Sequence, residues 1–210
     1  MSETMQFIFE IMGTIAFSVS GAMVAVEKKM DILGISILGL TTAVGGGVIR
    51  DLILGITPPA TFQNPIYAVI AIITAIIVFT PYVQRIFEKN PIYYERVMLI
   101  MDSIGLGVFT VVGINAAYTT GYEDNIFLLF FVGVVTGVGG GVMRDMMAGD
   151  RPYIFVKHFY ATASLIGAAS CIIIWNIFGQ AIAMLVGTIV VVVLRFMAAK
   201  FRWSLPKART

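Results

Sequence analysis

The sequence predicts an all-α integral membrane protein, and three observations lead to this fold class. Of its 210 residues, 59% are hydrophobic and only 12% are charged, and the mean hydropathy is +0.93. Such a chain has too little polar surface to cover a soluble globule of this size. The apolar residues form long runs separated by short polar clusters, and two of the runs contain the same motif of three glycines, two apolar residues and Arg-Asp.

The apolar runs predict seven transmembrane helices, because about 20 apolar residues cross the hydrocarbon core of a bilayer. Turn signals such as EKKMD, TPPATFQNP and AGDRP separate the runs. The first run has no basic segment before it and no small-residue cleavage site after it, so we expect it to remain as a helix. The predicted helices lie near 5–26, 32–56, 64–87, 96–120, 125–149, 153–178 and 180–200.

The doubled motif belongs to a longer internal repeat. A shift of 94 residues aligns VGGGVIRD (44–51) with VGGGVMRD (138–145), and a shift of 92 aligns EIMGTIAFSVSG (10–21) with DSIGLGVFTVVG (102–113). Because each unit contains three helices, the second unit would enter the membrane from the opposite side, which makes an inverted 3+3 repeat. The predicted divisions are 1–90 and 91–178 for the two units, and 179–210 for the seventh helix with a basic cytoplasmic tail.

Basic residues predict the orientation. If the N-terminus lies outside, every lysine and arginine except Arg50 falls on the cytoplasmic side, as the positive-inside rule requires. We therefore predict a multi-pass protein of the bacterial or archaeal cell (inner) membrane, with its N-terminus outside and its C-terminus in the cytoplasm. The net charge of +2 comes from clusters at helix ends and does not indicate nucleic-acid binding. The seventh helix is apolar in its centre apart from Thr188 and is expected to serve in packing or oligomer contact.

The glycine triplets lie a little beyond the middle of the second and fifth helices. Each glycine costs roughly 1 kcal/mol relative to alanine in a helix interior, so three in succession predict a break. In hydrocarbon, a broken backbone needs protein or water to satisfy its polar groups, which would indicate a polar pathway. The alternative is that small residues only let neighbouring helices approach closely. The two triplets are Gly45, Gly46, Gly47 and Gly139, Gly140, Gly141.

Arg50 and Arg144 are the strongest candidates for a functional site. An arginine inside a span costs a few kcal/mol and normally faces a partner or water, although near a helix end it can also snorkel to the headgroups. The adjacent acids, Asp51 and Asp145, project about 100° away around the helix and are not expected to make good ion pairs with their neighbours.

Two further acids lie at matching depths in the first and fourth helices. Glu10 is about six residues from the outer end, where Arg50 also lies, and Asp102 is equally deep at the inner end, near Arg144. We therefore predict the pseudo-symmetric pairs Glu10–Arg50 and Asp102–Arg144. The alternative for each acid is a partly hydrated carboxylate at the interface.

The remaining chemistry-bearing residues point away from an enzyme. A single cysteine, Cys171, and a single histidine, His158, allow neither a disulfide framework nor a structural metal cluster. There is no Ser/His/Asp set, and the glycines lack the lysine of a phosphate-binding loop. We expect no cofactor.

Seven spans, an inverted repeat with one extra helix, and GGGVxRD in both second helices resemble the prokaryotic branch of the trimeric intracellular cation (TRIC) channel family. This group is also known as bacterial glycine transporters, or UPF0126. The resemblance covers nearly the whole chain. It implies a homotrimer in the lipid membrane, with an hourglass pore in each protomer that bends at the glycine triplets and passes potassium and sodium.

The residues themselves leave the transported species open. A cation pore would use carbonyls freed at the glycine breaks, where K⁺ or Na⁺ would bind transiently, together with neighbouring hydroxyls. Two arginines near the path would repel cations unless neutralised, whereas a zwitterion such as glycine would use an arginine for its carboxylate. We predict a monovalent cation channel; the alternatives are a small amino-acid transporter and a non-conducting membrane scaffold. The candidate hydroxyls are Ser18, Thr41, Thr42 and Thr136.

Overall fold

The computed structural model describes residues 3–156 and 159–203, and within these ranges all regular secondary structure is helical. Six of these helices are long and apolar enough to cross a membrane, and a bent pair of helices passes the same test together, which gives up to seven spans. The predicted all-α, multi-pass membrane fold is therefore confirmed. The helices are α1 (Glu3–Glu27), α2 (Ile32–Ile53), α3 (Ala60–Gln63), α4 (Ile66–Phe79), α5 (Pro81–Lys89), α6 (Pro91–Thr119), α7 (Ile126–Met147), α8 (Tyr153–Val156), α9 (Tyr160–Phe178) and α10 (Gln180–Phe201).

Two predicted spans differ in shape from the expectation. The third, predicted as one helix over 64–87, consists of α4 and α5, which meet at an angle of 61°. The cause is Pro81, since a proline disfavours helical geometry at the residue before it, and Thr80 has an extended backbone. The sixth, predicted over 153–178, begins as a helix only at Tyr160, after the short α8. Four residues that the sequence analysis used, Lys157, His158, Lys207 and Arg209, lie outside the described ranges.

The predicted break at the glycine triplets is wrong. Both α2 and α7 remain helical throughout their triplets. A Cβ at Gly46 would overlap the carbonyl oxygen of Thr136, and one at Gly140 would overlap that of Thr42. The triplets therefore let the backbones of α2 and α7 touch, as small residues do between membrane helices. No carbonyl is freed there to bind a cation.

The ends of α2 and α7 are built in the same way. Asp31 caps α2 by accepting a hydrogen bond from the Gly34 amide at 2.7 Å, and Asn125 caps α7 by accepting one from Leu128 at 3.0 Å. After the last turns, Gly55 and Gly149 both have φ of +75°, a left-handed conformation that glycine adopts without strain. The sequence repeat is thus matched by repeated local structure.

The helices pack in two similar groups. In the first, α1, α2 and α4 contact one another; in the second, α6, α7 and α9 do the same. The groups meet through α1 against α6 and α2 against α7, while α10 packs on α6 and α9. Lys28, just after α1, and Asp150, just after α7, form an ion pair of 2.5 Å. These two helix ends therefore lie at the same end of the bundle, as the predicted topology requires.

Candidate functional site

Two cavities lie at opposite ends of the helix bundle. The first, of about 290 Å³, is lined by Glu10 near the start of α1 and by Arg50 near the end of α2, and we call it the Glu10 cavity. The second, of about 700 Å³, is lined by Glu27 at the end of α1, Asp102 of α6 and the last turns of α10, and we call it the Asp102 cavity. The two acids aligned by the sequence repeat thus face separate cavities.

The predicted Glu10–Arg50 pair does not form. In the structure, Glu10 accepts a hydrogen bond from the Tyr67 hydroxyl and one of 3.1 Å from the Gln6 amide. Arg50 is only 8% exposed and pairs instead with Asp51, at 2.8 Å between Nε and Oδ1. Glu10 and Arg50 therefore face one cavity as two separate opposite charges.

The Arg-Asp motif closes an ion pair between adjacent residues in both repeats, contrary to expectation. Arg144 pairs with Asp145 at 2.8 Å, as Arg50 does with Asp51. The reason is that the long arginine side chain folds back, so that its Nε donates to the carboxylate that follows it. The geometry around the helix axis applies to Cβ positions and does not limit so flexible a side chain.

Each aspartate of the motif also holds the segment that follows its helix. The second oxygen of Asp51 accepts a hydrogen bond of 2.8 Å from the Ala60 amide, and that of Asp145 accepts one of 2.7 Å from the Tyr153 amide. Asp51 and Asp145 are 1% and 2% exposed. Their carboxylates therefore orient the arginine and fasten the returning loop at the same time.

The predicted Asp102–Arg144 pair is present and fully buried. Arg144 Nη1 lies 2.8 Å from Asp102 Oδ1, and it also donates to the hydroxyl of Ser20. Arg144 is 0% exposed and Asp102 is 1% exposed, so neither is a hydrated interfacial group and Arg144 does not snorkel. The Tyr160 hydroxyl donates to the same Asp102 oxygen at 3.3 Å.

Arg195 of α10 is a member of this cluster that the sequence analysis missed. Its Nη2 lies 3.5 Å from the other oxygen of Asp102, and its guanidinium stacks on the Tyr160 ring at 4.7 Å. Arg195 is 5% exposed and lines the Asp102 cavity. In the sequence it was only one of the basic residues counted on the cytoplasmic side, and the packing of α10 against α6 brings it to Asp102.

A tightly packed layer, which we call the waist, separates the two cavities. The Phe17 and Phe109 rings meet there at 5.3 Å between centroids, beside the contact of α2 with α7. All its members are buried. The two phenylalanines could have been found from the sequence, because the 92-residue shift aligns them. The waist consists of Phe17, Thr42, Gly46, Phe109, Thr136 and Gly140.

The hydroxyls predicted to line a pathway are mostly engaged with backbone carbonyls. Thr42 and Thr136 donate to Leu38 and Val132 within their own helices, each at 2.6 Å. Ser18 donates at 2.6 Å to the carbonyl of Ala71 in α4. These three are buried away from both cavities, and Thr41 is half-buried. Thr14 and Thr61 are the threonines that line the Glu10 cavity.

The sequence matches known membrane proteins over most of its length. A family model described as glycine transporter matches residues 7–82 and again 99–176. The chain is 33% identical over 200 residues to the UPF0126 inner membrane protein YadS of Escherichia coli K12, covering 94% of this chain and 93% of YadS. It is 34% identical over 200 residues to the UPF0126 membrane protein YvgT of Bacillus subtilis 168, covering 95% and 94%.

Solved structures share the fold. A structure that describes conductance through TRIC cation channels has 37% identity and a TM-score of 0.83, covering 97% of both chains. The TRIC orthologue of Rhodobacter sphaeroides has 33% identity and a TM-score of 0.85, covering 96% of this chain and 100% of its own. A prokaryotic TRIC channel crystallised in 0.5 M KCl has 29% identity and a TM-score of 0.87, covering 96% and 99%.

Proposed function

Since the chain belongs to the UPF0126 (TRIC) family of membrane proteins, we propose that it is a monovalent cation channel whose pathway joins the Glu10 and Asp102 cavities. The observation that carries this proposal is the arrangement of two charged cavities at opposite ends of the bundle with only the waist between them. The waist is closed here, so conduction requires that it opens.

The charges along this path suit cations once the arginines are neutralised. Arg50 and Arg144 each have an adjacent aspartate at 2.8 Å, and Arg144 has Asp102 as well. The positive barrier that two bare arginines would present is thereby offset. Glu10 has no cationic partner within ion-pair distance among the described residues, so the Glu10 cavity is a mouth that attracts cations.

The finer features follow the family resemblance. We propose a homotrimer with a pore in each protomer, permeable to potassium and sodium, in the inner membrane with its N-terminus outside. The two matches of one family model and the similar helix groups support inverted repeats at 1–90 and 91–178. The pore and gate residues are the charged pairs and the waist.

One observation favours a second candidate, the transport of glycine or another small amino acid. Glu10 and Arg50 face the same 290 Å³ cavity without pairing with each other. Such a cavity can place an ammonium group near Glu10 and a carboxylate near Arg50, which is the charge pattern of a zwitterion. In such a carrier the waist would open only while the mouth of the Glu10 cavity is closed, because a carrier exposes its site to one side at a time.

The deciding experiment uses the purified protein in liposomes, with potassium flux and labelled glycine uptake measured on the same preparation. The channel proposal expects potassium and sodium flux driven by their own gradients, with no effect of millimolar glycine. Glu10→Gln should lower the flux, and Thr4→Ala, an exposed change near the same helix end, should not. Saturable glycine uptake without ion flux would replace the channel with the second candidate.

A further inference from the structure

The inverted repeat pairs the two mouths residue by residue, yet their charges differ. At the Glu10 cavity, Glu10 and Arg50 line the wall and Asp51 is paired with Arg50, so one arginine is matched by two acids. At the Asp102 cavity, Asp102 and Arg195 line the wall, and Arg144 with Asp145 is joined to Asp102 by ion pairs, so two arginines are matched by two acids. The difference is Arg195, which belongs to α10 and has no counterpart in the first repeat.

Contacts fix the position of the Arg195 guanidinium, although some of its hydrogen-bond donors have no partner among the described residues. Its Nη2 is 3.5 Å from Asp102 Oδ2, which is an ion pair but too long for a good hydrogen bond, and Asp102 Oδ2 has no hydrogen-bond partner among the described residues. Within the same ranges, Arg195 Nε also lacks one. The guanidinium stacks on Tyr160 at 4.7 Å, which fixes the charge beside the cavity.

The outer part of the Asp102 cavity does not restore a negative charge. Its lining adds Glu27 and Glu95 but also Arg96 and Arg202, so these four groups balance. The net negative charge of the pathway is thus concentrated at the Glu10 end. A charged cleft raises the local concentration of counter-ions and therefore their rate of entry.

We propose that Arg195 is the residue that makes conduction directional: it keeps the Asp102 mouth neutral, so that cations enter faster from the Glu10 mouth. This inference rests on the proposed channel function. It assigns to the seventh helix a role in permeation in addition to packing. The protein should consequently rectify, with a larger current when K⁺ is driven from the Glu10 end towards the Asp102 end.

The test is the current–voltage relation of single channels in planar bilayers with equal KCl on both sides. Sidedness is read from a tag at the C-terminus, which follows Trp203 of the Asp102 cavity. In about 0.05 M KCl, we expect the wild-type currents at opposite voltages to differ by roughly threefold, and the ratio to approach one near 1 M because salt screens the charges. Wild-type channels with a linear relation at low salt would overturn the proposal.

Variants then assign the effect to Arg195. Arg195→Gln leaves Asp102 and Asp145 facing Arg144 alone, as at the Glu10 mouth, so the ratio should fall to about one through faster entry from the Asp102 end. Arg195→Lys should keep the ratio, since it keeps the charge. The control Lys200→Gln removes a charge from the exposed face of the same helix and should leave the ratio unchanged.

The outcomes separate this inference from the channel function itself. If the wild type passes no cation, the proposed function fails; if it conducts and Arg195→Gln still rectifies, only the role of Arg195 fails. Should Arg195→Gln not fold, Glu10→Gln provides a second route, because it removes the excess negative charge from the opposite mouth. Persistent rectification in Glu10→Gln would then contradict the charge difference between the mouths.

Discussion

Replacement of Asp102 by asparagine should destabilise the protein far more than replacement of Glu10 by glutamine, although the repeat aligns the two acids. Asp102 is 1% exposed and forms ion pairs with Arg144 at 2.8 Å and with Arg195 at 3.5 Å. Asp102→Asn leaves two buried arginines with only Asp145. Removal of one partner from a buried ion pair costs about 3–5 kcal/mol.

Glu10 is a matched control because it is half-buried and its partners, Tyr67 and Gln6, are neutral. Glutamine keeps an acceptor for Tyr67, so Glu10→Gln should cost no more than about 1 kcal/mol. At 2–4 °C per kcal/mol, Asp102→Asn lowers the melting temperature by about 6–20 °C, compared with less than about 4 °C for Glu10→Gln.

Thermal unfolding of both variants in the same detergent, followed by circular dichroism or tryptophan fluorescence, measures the difference. Adding Arg195→Gln to Asp102→Asn should restore part of the loss, since it removes one of the unmatched charges. Equal melting temperatures for the two single variants would refute the argument, because they would mean that the buried ion pairs of Asp102 contribute no more to stability than the neutral contacts of the half-buried Glu10.

Three further predictions concern the packing. Gly46→Ala should cost about 1–3 kcal/mol in unfolding free energy, because the new methyl group meets the Thr136 carbonyl. The control Gly47→Ala should be tolerated, because a methyl group there has no neighbouring atom closer than 3.8 Å, and equal denaturation midpoints for the two variants would contradict this. Asp145→Ala should speed hydrogen exchange of the Tyr153 amide at least about tenfold, since a charge-assisted hydrogen bond of 2.7 Å is lost. An unchanged exchange rate would show that contacts other than the Asp145 carboxylate hold this loop. Phe17→Ala should raise basal potassium leak into liposomes by opening the waist, whereas the exposed Phe127→Ala should not; a leak equal to wild type would mean that the barrier lies elsewhere.

Sequence reasoning succeeded where a single physical rule decides the outcome. The lengths of the apolar runs predicted the spans, and the expense of a buried arginine predicted that Arg144 needs Asp102. It failed where two rules compete. Three glycines lower helix propensity, but in a membrane the backbone must keep its hydrogen bonds, so the helix persists and the absent side chains serve packing.

The sequence also did not show which side chains from different helices meet in the fold. The equal depths of Glu10 and Arg50 in the membrane predicted an ion pair. Depth does not determine which way a side chain points around its helix, and Arg50 pairs with the adjacent Asp51 instead. Arg195 lies far along the chain from Asp102, and because α10 is outside the repeat, no alignment of the two units relates Arg195 to another residue. Phe17 and Phe109, by contrast, occupy equivalent positions in the alignment of the two units, so their symmetry was predictable from the sequence.

The contact between α2 and α7 suggests how the waist opens without a break in either helix. Gly46 lies against the Thr136 carbonyl and Gly140 against that of Thr42, so backbone meets backbone in both directions at the waist. Beside this contact, the Met143 side chain of α7 packs on Gly45 of α2. Packed helices can slide past one another by a small shear. The loops beyond them, however, are fastened by Asp51 and Asp145 through hydrogen bonds of 2.8 and 2.7 Å. We therefore infer that α2 and α7 move as intact units together with their loops and arginines, so that opening of the waist and displacement of the charged clusters are one event.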